Sequence, residues 1–178
     1  MKYGTEPENR VKFEFDEEEF NVFQRLLIKF FTTRLWTNLD IYCVRFFGGS
    51  VSTKLVSMSK GLPYQPAVVL KSIGAKSGKI RTCALPYVMD NGRYCVFGSR
   101  AGGPIHPAWV FNLRRNPSCW IWLKRKRTPC RAEEAKGEER QRIVDKVKAR
   151  YSLMEEYERK AHPRVIPVIM LTPLKSKY

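Results

Sequence analysis

The tripeptide Asp90-Asn91-Gly92 constrains this chain more than any other feature. A two-residue hairpin turn asks two successive residues for left-handed backbone, and Asn-Gly is the pair best able to supply it. The flanks agree. Residues 80–89 and 93–98 are rich in β-branched and aromatic side chains and read as strands. Upstream, residues 67–73 form a third apolar, β-branched run, and Gly74-Ala75-Lys76-Ser77-Gly78-Lys79 is a glycine-bounded turn between it and the next strand. Three antiparallel strands therefore occupy residues 67–98.

The remaining segments fit around that meander. Ser99 to Pro104 is a glycine-rich loop, and Pro107 opens a short helix through Trp109, Asn112 and Leu113 that Asn116-Pro117 stops. Residues 119–133 read as a long strand or a strand pair, and 165–171 as a last apolar strand. Residues 137–150 form a charged amphipathic helix, with Ile143 and Val147 four apart, and 153–160 continue helically. Near the start, residues 17–36 place Phe20, Phe23, Leu27, Phe30 and Phe31 at helical spacing. Residues 44–62 mix glycines, basic and apolar residues and read as helix or loop. Hairpins interrupted by short helices predict an α+β chain built on an antiparallel barrel. The expected organisation is an acidic tail and helical extension over residues 1–66 and a barrel over 67–178, as one globular unit.

Charge narrows the partners. The net charge is +16, but residues 1–19 carry about −4, so the rest carries about +20. A body so basic attracts an anion: nucleic acid, lipid headgroups, or a phosphate- or carboxylate-bearing small molecule. The five cysteines contain no C-x-x-C pair, and only two histidines accompany them, so reduced thiols and no metal site are expected. No long apolar run suggests a spanning helix, no leader-like segment opens the chain, and a cytoplasmic location follows as the expectation. The helix over 17–36 joins large aromatics to basic residues. It reads as a core-packing helix or as a peripheral contact with the inner face of an anionic membrane.

Two loops could hold an anion. Around the turn at 74–79 stand Lys76, Ser77, Gly78, Lys79 and Arg81, where glycines let amides point into a shared concavity and Arg81 offers a two-pronged donor face. A solvated hairpin turn is the alternative, and the Walker spacing is absent. The stretch Gly98 to Pro104 follows a strand and precedes a helix, so its amides and the helix start could face one ligand. Joined by a hairpin, the two loops can converge at one strand end.

Their order carries a resemblance. Gly74-x-Lys76-Ser77-Gly78-x-x-Arg81, Ser99-Arg100-x-Gly102-Gly103, and His106-Pro107-x-Trp109-x-x-Asn112-Leu113-x-x-Asn116-Pro117 resemble the deazaflavin-dependent nitroreductase family. The likeness continues through Glu138-Glu139-Arg140 and Tyr157 to Ile166-Pro167-Val168. It implies a split β-barrel, akin to FMN-binding barrels, that binds the deazaflavin coenzyme F420. It also implies hydride transfer from the reduced coenzyme to an enone, quinone or nitro compound. On that resemblance Lys76, Ser77, Gly78, Lys79 and Arg81 match the phosphate loop, and Ser99, Arg100, Gly102 and Gly103 the loop near the ring. Trp109 matches a motif tryptophan, and the basic body suits the coenzyme's anionic tail. Ala75 stands where relatives carry Arg, Ile80 where they carry Pro, Arg100 where Lys is common, and Arg115 where a small residue is. Where some relatives cluster tyrosines over the substrate, this chain has Tyr151, Met154 and Tyr157.

Hydride transfer leaves the acceptor in need of a proton, which makes Tyr157 and then Ser99 the catalytic candidates, with packing the plain alternative for Tyr157. His106, ahead of a helix start, reads as a capping or surface residue. Cys83 and Cys95 read as small core residues. Rival readings are a split barrel that binds FMN or haem, and a nucleic-acid-binding module using Lys124 to Arg127 beside Trp120 and Trp122. The second lacks any recognised motif. A monomer and a dimer remain equally compatible with the sequence.

Overall fold

In the computed structural model of the chain, residues 34–59, 61 and 63–174 are described. Contacts group the chain into two units, Met1–Thr37 and Asn38–Tyr178, and the second unit holds every feature discussed below. The helix expected over 17–36 lies outside the described residues except for its last three positions.

The elements in order are α1 (Arg34–Phe47), α2 (Val51–Ser59), β1 (Ala67–Ile73), β2 (Ile80–Asp90), β3 (Arg93–Phe97), a 3-10 turn (Arg100–Gly102), α3 (Ala108–Arg115), β4 (Ser118–Leu123), β5 (Lys126–Glu134), α4 (Gly137–Lys148), α5 (Leu153–Ala161) and β6 (Val168–Pro173). The six strands close into an antiparallel barrel in the order β1-β2-β3-β6-β5-β4, with β4 returning to pair with β1. Closure satisfies both edges of the sheet. The expected α+β antiparallel split barrel is the architecture found.

Asn91 and Gly92 take φ of 47° and 75°, the left-handed pair that their hairpin needs, and Asp90 stands opposite Arg93. The second hairpin was less legible. Residues 119–133 are two strands, β4 and β5, turned by Lys124 and Arg125 at φ of 48° and 66°. Neither is a glycine or asparagine, so no turn signature marks the place. The strained turn is held from outside, where the Arg125 amide donates to the Arg45 carbonyl at 2.7 Å.

Strand alternation sorts the side chains into three packed groups. Val68, Leu70, Val96, Ile121, Ile169 and Leu171 fill the barrel, and α3 adds Trp109, Val110 and Leu113 to them. On the outer face, Cys95, Val168 and Met170 pack under Ile143, Val144 and Val147 of α4 and Met154 of α5. Ala67 and Val69 are covered by Val44 of α1, with Trp122 alongside.

Residues 44–62, read as helix or loop, contain the end of α1, a turn and α2. Gly48 closes α1 at φ 74°, its amide donating to the Val44 carbonyl. Asp40 reaches across from α1 to start α2: its carboxylate accepts from the amides of Val51 (2.8 Å) and Ser52 (3.3 Å) and from the Ser50 hydroxyl (2.7 Å). The cap belongs to the preceding helix, eleven residues before Val51, which is why sequence spacing does not reveal it.

Candidate active site

Strand directions decide where the two loops meet. β1 and β3 both run antiparallel to β2, so the turn at 74–79 and the loop after β3 open at the same end of the barrel. The Asn91-Gly92 turn lies at the other end.

The first loop is tied down by its backbone and by one side chain. The Gly74 amide donates to the Lys79 carbonyl (2.9 Å), and Gly78, at φ 64°, donates to the Gly74 carbonyl (2.8 Å). Asn112, buried on α3, accepts from the Ala75 amide at 2.9 Å and donates to the Ser72 hydroxyl at 3.3 Å. Asn112 thus locks the turn to the helix, a role that joins segments nearly forty residues apart and is invisible in spacing. Lys76, Ser77, Gly78, Lys79 and Arg81 are all exposed around this locked turn. Among the described residues, Lys76, Lys79 and Arg81 have no carboxylate partner, so their charge is available to an anion.

The second loop makes a tight left-handed turn. Arg100, Ala101 and Gly102 have φ of 50°, 51° and 82°. Gly102 is required twice over, since a Cβ there would also lie 2.5 Å from the Lys160 Cβ on α5. The loop is held by Arg164, whose guanidinium donates to the carbonyls of Gly98 (3.0 Å), Ser99 (2.7 Å) and Gly103 (2.9 Å). Its contact with His106 Nδ1, at 3.1 Å, fixes that ring too. His106, half-buried, accepts from Arg164 and is not the helix cap; Pro107 occupies the capping position of α3.

Ser99 lines a cleft of about 250 Å³. One wall is α2, through Ser52, Thr53 and Ser57. Opposite stand Tyr151, Met154 and Tyr157, and Pro86, Phe97 and Val147 supply apolar surface between them. Tyr151, Met154 and Tyr157, which stand where the resemblance puts a substrate-covering tyrosine cluster, all line this cleft. The α2 wall was not foreseen, because its residues belong to a segment without a clear period.

Ser99 and Tyr157, the two catalytic candidates, thus share one cleft. Burial pushes the Tyr157 phenol above its ordinary pKa, with Glu156 adding to the shift, so it holds its proton at neutral pH. Trp109 is elsewhere. It is 8% exposed inside the barrel, where it seats α3 and hence Asn112. Arg100, Gly102 and Gly103 belong to the loop that carries Ser99, and Arg115 is an exposed residue of α3. The cysteines behave as core residues: burial drives Cys83 and Cys119 up to about 12 and Cys95 and Cys130 up to about 11. No cluster able to hold a metal ion occurs among the described residues.

The donor set fits a phosphorylated, ring-bearing coenzyme: unpaired cations on a locked turn, a glycine-shaped loop, and a partly apolar cleft beside it. Known proteins agree. Residues 44–173 match the family model described as F420H2-dependent quinone reductase. An F420H2-dependent quinone reductase of Mycobacterium tuberculosis is 37% identical over 62 residues, which span 35% of this chain and 42% of that one. A second M. tuberculosis relative is 32% identical over 108 residues, covering 61% of this chain and 90% of its own length. A solved F420-H2 dependent reductase, FDR-A, superposes with a TM-score of 0.54 at 37% identity, covering 59% of this chain and 92% of that one. A structure described as a domain-swapped dimer gives 0.55 at 33% identity, covering 67% of this chain and 92% of that one. With the matched model spanning most of the chain, this protein belongs to the F420H2-dependent quinone reductase family.

Proposed function

We propose that this protein is a deazaflavin-dependent reductase that uses reduced coenzyme F420 to reduce a quinone or a chemically similar enone or nitro compound. The observation that carries it is the pairing of unpartnered Lys76, Lys79 and Arg81 with a Ser99–Tyr157 cleft at one end of the barrel.

Lys76, Ser77, Gly78, Lys79 and Arg81 would hold the coenzyme's phosphate, and Ser99, Arg100, Gly102 and Gly103 would lie along its ring. Trp109 contributes through packing, by fixing the helix that carries Asn112. When bound, the reduced coenzyme supplies a hydride. The protein's own share is placement and protons. Tyr157, kept protonated by burial, donates a hydrogen bond or proton to the acceptor oxygen, with Ser99 as the second hydroxyl. Pro86, Phe97, Val147 and Met154 exclude water and favour a flat apolar acceptor.

Titrating the protein with F420 and, in parallel, FMN while following tryptophan emission tests the cofactor. Saturable quenching by F420 alone is the expected result. Tight FMN binding would keep the barrel and replace the coenzyme. Oxidation of the reduced coenzyme by a soluble quinone, followed by absorbance, then tests the activity.

A second observation favours a finer reading, contact with the membrane that dissolves such acceptors. Among the described residues no helix is long and apolar enough to cross a membrane. Yet α1 and α2 expose Tyr42 (55%), Phe47 (78%) and Met58 (69%) beside Arg45 and Lys54, a mixture suited to a lipid interface. Phe47→Ser with Met58→Ser should abolish sedimentation with anionic liposomes while sparing reduction of a water-soluble quinone. Undiminished sedimentation would remove this reading.

A further inference from the structure

The loop after β3 has an unusual support. Its backbone is left-handed at Arg100, Ala101 and Gly102, two of which are not glycine, and the strain is carried by one side chain from the connection before β6. Arg164 directs its donors to three carbonyls of that loop, those of Gly98, Ser99 and Gly103. A further N–H points at His106 Nδ1, 3.1 Å away. Guanidinium has no acceptor, so His106 can meet it only as a neutral ring with Nδ1 unprotonated.

We propose that Arg164 is the positioning residue of the Ser99 loop and that neutral His106 is the acceptor that keeps it latched, so that coenzyme affinity falls when His106 takes up a proton. This rests on the reading that the Ser99 loop holds the coenzyme.

Protonation would turn the Nδ1 lone pair into a donor aimed at a donor and set two cations side by side. The groups around His106 sharpen that conflict. Arg114 and the edge of the Phe111 ring, centroids 5.9 Å apart, come from α3, and Glu134 comes from β5. Glu134 is already bound by Arg114 through two hydrogen bonds of 2.8 Å. Arg164 has no carboxylate partner among the described residues. Burial first, then Arg114 and Arg164, lower the His106 pKa below the ordinary imidazole value of 6.5, with Glu134 opposing. The latch is therefore intact above that value and is lost as pH falls through the lowered one.

The test measures F420 affinity and amide hydrogen exchange from about pH 7.5 to about pH 5, a span that brackets imidazole titration. Wild type is compared with His106→Asn, which keeps an acceptor and cannot titrate, and with Arg164→Met and Arg164→Lys. Expressing each result as a ratio between proteins cancels any ionisation of the coenzyme itself. Wild-type affinity should fall about tenfold relative to His106→Asn across that range, the scale of one charge-assisted contact. Arg164→Met should bind weakly at every pH with a flat ratio, and Arg164→Lys should recover part of the affinity. If wild type and His106→Asn follow the same profile, the latch is overturned.

Exchange in the ligand-free protein separates the two ideas. Gly102 and Gly103 donate their amides within the loop, to Ser99 and Arg100. Their protection should drop with pH in wild type and stay constant in His106→Asn. Protection that behaves this way without any F420 binding would preserve the latch and remove the coenzyme reading. Protection indifferent to both substitutions would remove the latch.

Discussion

Two charged turns at opposite ends of the barrel meet different fates. At the Asn91-Gly92 turn the flanking charges are answered. Asp90, 2% exposed, accepts two hydrogen bonds of 2.8 Å from Arg142 and one of 3.3 Å from Arg93, and Lys146 approaches to 3.6 Å. Arg93 also reaches Glu139 at 2.7 Å. At the 74–79 end Lys76, Lys79 and Arg81 stand on a turn as well ordered as the first, with no carboxylate among the described residues. One charged turn is neutralised by the fold; the other keeps its cations free at the barrel end that also carries Ser99, which is what the proposed phosphate role asks for.

Replacing Asp90 should have the largest effect on stability. Asp90→Asn is expected to cost about 2–3 kcal/mol in urea unfolding, because it breaks a buried carboxylate out of an ion network, and to leave F420 affinity unchanged. An altered affinity would mean that the two ends are not separate. The pH dependence follows. The hydrogen bond from Arg142, the largest influence, holds the Asp90 carboxyl well below the usual range, so its contribution is complete above the ordinary carboxylate value of 3.8. It is lost as pH falls through the lowered value, and the gap between wild type and Asp90→Asn should therefore narrow in acid.

The opposite end should show the reverse pattern. Lys79→Ala with Arg81→Ala is expected to weaken F420 binding by roughly a hundredfold, two charge-assisted contacts at about tenfold each, without moving the melting temperature. Unchanged affinity would remove the phosphate assignment. Tyr157→Phe should lower turnover about tenfold, toward the low end of general-acid contributions, while coenzyme affinity stays near wild type. Unaffected turnover would deny the hydroxyl a proton role. Asn112→Ala should be the mildest, costing about 1 kcal/mol of stability for the lost hydrogen bonds and weakening F420 severalfold, since it loosens the turn without removing a charge.

Much of this was written locally. The Asp90-Asn91-Gly92 turn, the strands beside it and the glycine-bounded basic loop all rest on contacts between near neighbours, so residue type and spacing were enough to read them. The order of the loop motifs likewise carried the family resemblance. The β4–β5 turn escaped because Lys124 and Arg125 adopt a conformation that their own side chains disfavour and that the α1 carbonyl of Arg45 supports. The helix α2 escaped because its cap, Asp40, belongs to another helix.

By itself, then, the sequence determined the meander, the basic turn and the glycine loop, since each depends on backbone preference, while the tyrosines at 151 and 157 were reached only through the family resemblance. Only the tertiary structure decided that α2 walls the cleft, that Asn112 locks the first loop, and that Arg164 with His106 holds the second. All are contacts between segments tens of residues apart, and they exist only after barrel closure brings those segments together.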